Sequence, residues 1–82
     1  MDIREMVEAR RIEANAALKL AESESSRVAE RVALDESLRW LTLASDLLDS
    51  GTPSEYLLDV LAAGLYRHGA DIDWAVERLN RG

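Results

Sequence analysis

Few side chains in this sequence have the chemistry of a reactive site. The chain has one histidine, His68, in the segment Arg67-His68-Gly69-Ala70-Asp71-Ile72-Asp73, and no cysteine. A lone histidine can serve as a general base, ligate a metal or haem, or close a helix end. Without a second histidine or any thiolate, one chain cannot assemble the usual zinc ligand set. No nucleophile stands beside His68 in sequence. In the last turn of a helix, an imidazole can donate to free carbonyls and, when protonated, complement the negative end of the macrodipole. That is the role its position favours. Lys19 is the single lysine. A buried lysine can form a Schiff base, but Lys19 shares a polar strip with Asn15 and Glu22. Ser23, Ser25 and Ser26 lack a paired base, and no glycine-rich phosphate loop or calcium-loop spacing is present. No catalytic residue, metal site or cofactor is assigned.

The acidic groups form the second candidate set. The formal net charge is −6. Residues 1–41 carry seven basic and nine acidic groups, and residues 42–82 carry three and seven, so the second half is the acidic half. Asp46 and Asp49 fall in the last turns of a helix, where the macrodipole disfavours each by about 0.3–1 kcal/mol. With Asp59, Asp71 and Asp73 they can present an acidic surface to a basic partner. Trp74 lies off the apolar stripe of its helix, and tryptophan is enriched at binding hot spots. These six residues are the candidate partner-binding set. Phosphate backbones call for a basic stripe, which the sequence lacks, so direct nucleic-acid binding is not expected. No apolar run approaches the roughly 20 residues of a membrane span. The N-terminus, Met-Asp-Ile-Arg-Glu, is too charged for a secretory signal. A cytoplasmic protein that does not meet the membrane is expected.

Four helices are expected to position these residues, at about 3–22, 27–49, 53–68 and 72–80, in one all-α domain over residues 1–82. Asp2 and Glu5 suggest a capping box for the first. The polar run Glu22-Ser23-Glu24-Ser25-Ser26 suggests a break. Asp49-Ser50-Gly51 ends the second helix, with Gly51 in the left-handed region. Thr52-Pro53-Ser54-Glu55 then opens the third, with Thr52 as N-cap and Pro53 at the first helical position. Gly69 is expected to stop that helix, and Asp71 to cap a short fourth one. Asp71, Ala75, Val76 and Leu79 resemble the outline of the final helix of ubiquitin-associated domains. The Met-Gly-Phe-type loop of that family has no counterpart here, and no function is carried across.

The apolar faces are wide. At about 100° per residue, Leu34, Leu38, Leu41 and Leu48 form one stripe of the second helix. Trp40, Leu43 and Leu47 form another. Together they cover roughly 220°, against about 100° or a little more for an ordinary surface helix. The first helix carries a second apolar side at Ile12, Ala16 and Leu20. These faces exceed what one 82-residue chain can hide, so a compact bundle packed as a homodimer is expected. Trp40, Leu43, Leu47, Ile12, Ala16 and Leu20 are the candidate oligomer interface. The expected function is non-enzymatic protein–protein interaction: a small acidic adaptor or inhibitor, of the kind phages and mobile elements encode, docking on a larger protein. The alternatives are a designed or structural helical homo-oligomer without a ligand, and a cofactor-binding or catalytic bundle using His68.

Overall fold

The computed structural model describes residues 2–23 and 28–81. Among them are three α-helices and no strand: α1 Ile3–Glu22, α2 Val28–Asp49 and α3 Glu55–Asn80. The all-α expectation holds, and the count is three rather than four. The break expected over residues 23–26 falls largely outside the described residues. What is described is that α1 closes at Ser23, whose N–H donates to the Leu20 carbonyl, and that α2 begins at Val28.

Each start and stop has a local cause. The Asp2 carboxylate accepts from the Glu5 N–H at 2.8 Å and caps α1. Gly51 has the one positive φ among the described residues, +152°, and turns the chain after α2. The cap of α3 is Ser54, not Thr52: the Ser54 hydroxyl accepts from the Leu57 N–H at 3.2 Å. Pro53 therefore precedes the cap instead of occupying the first turn. Serine is the stronger N-cap of the two, and Glu55 then falls where the dipole favours an acid.

The expected separation of helices at 53–68 and 72–80 is corrected. α3 runs unbroken through Gly69 for 26 residues, about 39 Å at 1.5 Å per residue. That nearly equals the 41 Å long axis of the molecule. Gly69 is buried in mid-helix and does not occupy a left-handed slot. Glycine costs a helix interior about 1 kcal/mol relative to alanine. Burial of Ile72, Ala75 and Leu79 against the other helices outweighs that, since one fully buried aliphatic side chain contributes about 1.5–3 kcal/mol.

One spacing organises all three helices. Ile3, Val7, Arg10, Ala14, Ala17 and Ala21 point inward from α1. Glu30, Leu34, Ser37, Leu41, Ala44 and Leu48 do so from α2. From α3 the inward row is Leu61, Leu65, His68, Ile72, Ala75 and Leu79. Each row steps by four and three residues in turn, the spacing of a coiled-coil seam. The helices alternate in direction, with Arg4 near the start of α1 bonded to Asp49 at the end of α2, and Glu30 near the start of α2 bonded to Arg78 near the end of α3. Leu34, Leu41, Ile72 and Val7 are the largest fully buried apolar side chains. The alanines of α1 let that helix lie close to its neighbours. α1 and α3 meet less extensively than either meets α2, which leaves a seam open between them.

Candidate functional site

His68 is placed by the inward row of α3. Its Nδ1 lies 3.2 Å from the Ser37 hydroxyl of α2 and 3.9 Å from Asp71 Oδ2, one turn further on. Its ring stacks on the Trp40 indole, with centroids 5.1 Å apart and planes 26° apart. Serine, histidine and aspartate thus gather at one point, but not as a hydrolytic triad. In that arrangement the nucleophile and the carboxylate use opposite ring nitrogens. Here both face Nδ1, and Ser37 is fully buried, out of reach of a substrate. The group joins α2 to α3 through the Ser37–His68 contact and the Trp40–His68 stack. Trp40 fits because Gly64 faces it without a side chain, where a Cβ would collide with the indole. The helix-end role expected for His68 is replaced by this mid-helix one, because α3 does not end there.

Burial pushes the His68 imidazole below its ordinary pKa of 6.5, with Asp71 opposing and Arg67 assisting that shift. The unfolded chain therefore binds the proton more readily than the fold does. Stability is expected to be complete above about pH 6.5 and to fall as pH drops through the folded pKa. Because the chain has one histidine, a single imidazole Cε1–H resonance followed by NMR reports the titration. A midpoint at or above that of an unstructured peptide would refute the buried, stacked environment.

The acidic candidates do not form one surface. Asp49 is engaged by Arg4, whose other guanidinium nitrogen donates to the Leu48 carbonyl at 2.7 Å. This tertiary contact offsets the unfavourable placement of an acid at the α2 C-terminus. Asp73 accepts two bonds from Arg10, at 2.8 and 3.4 Å, across the α1–α3 seam. Asp71 sits beside His68 on the α2 flank of α3. Asp46 and Asp59 are exposed on different helices. Trp74 is 42% exposed on the outer side of α3, with the Arg78 guanidinium 5.4 Å from its ring centroid. That distance permits a cation–π contact.

The candidate interface residues also separate. Trp40 is half-buried within the chain. Leu43 and Leu47 stay exposed on the α3 flank of α2. Ile12, Ala16 and Leu20 remain exposed on the outer side of α1. Between α1 and α3 lies a groove of about 820 Å³, lined by Ile3, Met6, Ala9, Arg10 and Glu13 from α1 and by Ala62, Leu65, Tyr66, Ala70 and Asp73 from α3. Tyr66, at its edge, is 84% exposed. Neither Tyr66 nor Met6 is among the sequence candidates, although both are apolar-bodied side chains off the inward rows. No group of three or more metal-ligating side chains stands together among the described residues.

Fold and surface together define an antiparallel three-helix bundle with apolar side chains left outside. No protein-family model, curated protein or solved structure matches the chain. No described helix is long and apolar enough to cross a membrane.

Proposed function

We propose that the chain is a non-enzymatic protein–protein interaction module, a small acidic bundle of the cytoplasm that docks on a larger protein. The supporting observation is the apolar surface left over once the three helices have packed. Met6, Ile12, Leu20, Tyr66 and Trp74 on the outside of α1 and α3, and Leu43, Leu47 and Val60 near the α2–α3 seam, all stay exposed. Large exposed apolar patches mark interaction surfaces more often than they decorate monomers.

Site-specific photocrosslinking tests the proposal. A benzophenone side chain at Tyr66, Trp74 or Leu43 is expected to give discrete adducts with another protein in extract of the source cell. The same group at exposed Thr42 is expected to give none. If none of the three positions gives an adduct, and the purified chain stays a 9.1 kDa species at every concentration, the proposal fails.

Homodimerisation is the second reading, favoured by one observation. Trp40 faces Gly64, so in the antiparallel α2–α3 pair Leu43 and Leu47 lie level with Val60 and Tyr56, which are also exposed. A second copy would cover that seam. Leu43→Glu is expected to convert a dimer to a monomer in sedimentation equilibrium without lowering helix content. A wild-type chain that is monomeric through the micromolar range would remove this reading.

A further inference from the structure

We infer that the groove between α1 and α3 is a seat for one amphipathic helix with basic flanks, contributed by another protein. The inference rests on the interaction-module reading and names its surface and the chemistry of its partner.

The shape of the groove points to a helix. Beside its inward row, α1 carries a second row with the same four-three spacing: Asp2, Met6, Ala9, Glu13, Ala16 and Leu20. This row faces the open side, and Met6, Ala9 and Glu13 line the groove. On the opposite bank, Asp59, Ala62, Tyr66, Ala70, Asp73 and Glu77 recur every three or four residues along α3. Two helices that each present a seam spacing toward one gap leave a hole pattern into which a further helix packs its knobs. Alanine in the middle of both rows keeps the floor shallow enough for close approach. From Ile3 to Glu13 the groove is about 15 Å long at 1.5 Å per residue, room for two to three helical turns.

Charge selects the partner. Both ends of the α3 row are acidic, and the α1 row begins and is interrupted by an acid. Arg10, itself part of the groove lining, and Arg81, beside the α3 row, already bind carboxylates there: Arg10 bonds Asp73 and Glu13, and Arg81 bonds Glu77 at 2.6 Å. Arg4 and Arg78 are drawn to the α2 side by Asp49 and Glu30. At 100° per residue, Arg11 falls on the same side of α1 as Arg4, and Arg67 on the same side of α3 as Arg78. Lys19 lies beyond the end of the groove. An apolar floor between acidic banks fits a helix with an apolar face and lysine or arginine along its flanks. This is the helix-in-groove mode with complementary potentials. A second copy of this chain is disfavoured here, since its own rows bring acid against acid.

The test uses the full chain and three synthetic peptides of equal length. One is an amphipathic helix with a leucine face and lysine flanks. The second is its scrambled sequence. The third has glutamate in place of lysine. Titration calorimetry at two salt concentrations reads affinity, and methyl NMR reads location. The amphipathic basic peptide is expected to bind at least about tenfold more tightly than either control, and more weakly at high salt. It should shift the methyls of Met6, Ala9, Ala62 and Ala70. Ala70→Arg, at an exposed helical position, is expected to abolish that preference while leaving the thermal midpoint unchanged. Thr42→Arg, on the outside of α2, should have no effect. Equal binding of basic and scrambled peptides overturns the proposal, as does binding that Ala70→Arg leaves intact. So does concentration-dependent self-association that Ala70→Arg abolishes, which would make a second copy the occupant. Adducts from Leu43 without any peptide preference would overturn the groove while the interaction-module reading stands.

Discussion

Gly64→Ala is expected to destabilise the bundle, although alanine is the better helix former. On propensity alone the change would gain about 1 kcal/mol. The added methyl would overlap the Trp40 indole, lying 2.8 Å from Cη2 and closer still to two other ring atoms. The ring has little room to yield. It stacks on His68, which is held by Ser37 of the same helix that carries Trp40. Overpacking a well-filled site costs about 1–3 kcal/mol and displaces backbone when the obstacle is a rigid ring. The net expectation is a loss of up to about 2 kcal/mol, at roughly 4–8 °C in Tm per kcal/mol for a domain of this size. Denaturant titration measures it. The mechanism is separable from a general intolerance of the position by a double-mutant cycle with Trp40→Leu. In that background the methyl has nothing to strike, so Gly64→Ala should become neutral or stabilising. If it stays equally harmful, the Trp40–Gly64 fit is not what holds α2 against α3.

The same fit shows which features of the fold are legible in the sequence. Both ends of α1 and the end of α2 follow from caps and turn residues within a few positions: Asp2, Ser23 and Gly51. These are local signals, and local physics sets them. The end expected at Gly69 is also a local signal, and there a tertiary effect overrides it. Leu61, Leu65, His68, Ile72, Ala75 and Leu79 keep the four-three step without a missed beat through Gly69. A real turn resets helical phase, so continuity of the row is the stronger evidence when the two conflict. The contacts that define the site are less accessible. Arg4–Asp49 and Arg10–Asp73 join residues 45 and 63 positions apart. Nothing near Asp49 in sequence marks it as neutralised. Polar residues at inward positions, Ser37 and Glu30, also interrupt the apolar pattern that would announce them. Arg78 and His68 arrive from α3 to bond them. In coiled coils such inward polar residues fix register at some cost in stability, and the Ser37–His68 pair has the geometry for that task.

Gly69→Pro is expected to cost about 3 kcal/mol or more, the penalty for proline inside a helix. It removes one main-chain hydrogen bond and drives the ring into the carbonyl one turn earlier, at Leu65. For an 82-residue chain, total stability is on the order of 4–12 kcal/mol at 0.05–0.15 kcal/mol per residue. The change therefore consumes a large part of the margin. It also breaks the row between Leu65 and Ile72, so neither half of α3 can stay in register with α2. Gly69→Ala is the informative companion. Were Gly69 a left-handed helix stop, alanine there would be strained and destabilising. In the continuous helix it gains up to about 1 kcal/mol of propensity. The nearest atoms to its Cβ would be those of the Arg10 guanidinium, at 3.2–3.3 Å, the far end of a long side chain. The expected pattern is thus opposite in sign for the two substitutions: proline strongly harmful, alanine neutral to stabilising, both read from denaturant midpoints. A left-handed stop at Gly69 predicts instead that both substitutions are harmful, since proline also demands a negative φ. The sign of the alanine change therefore decides whether α3 is one helix. The straight bank that faces α1 across the groove depends on that continuity, because Ala62 and Tyr66 precede Gly69 in the row and Ala70, Asp73 and Glu77 follow it without a bend.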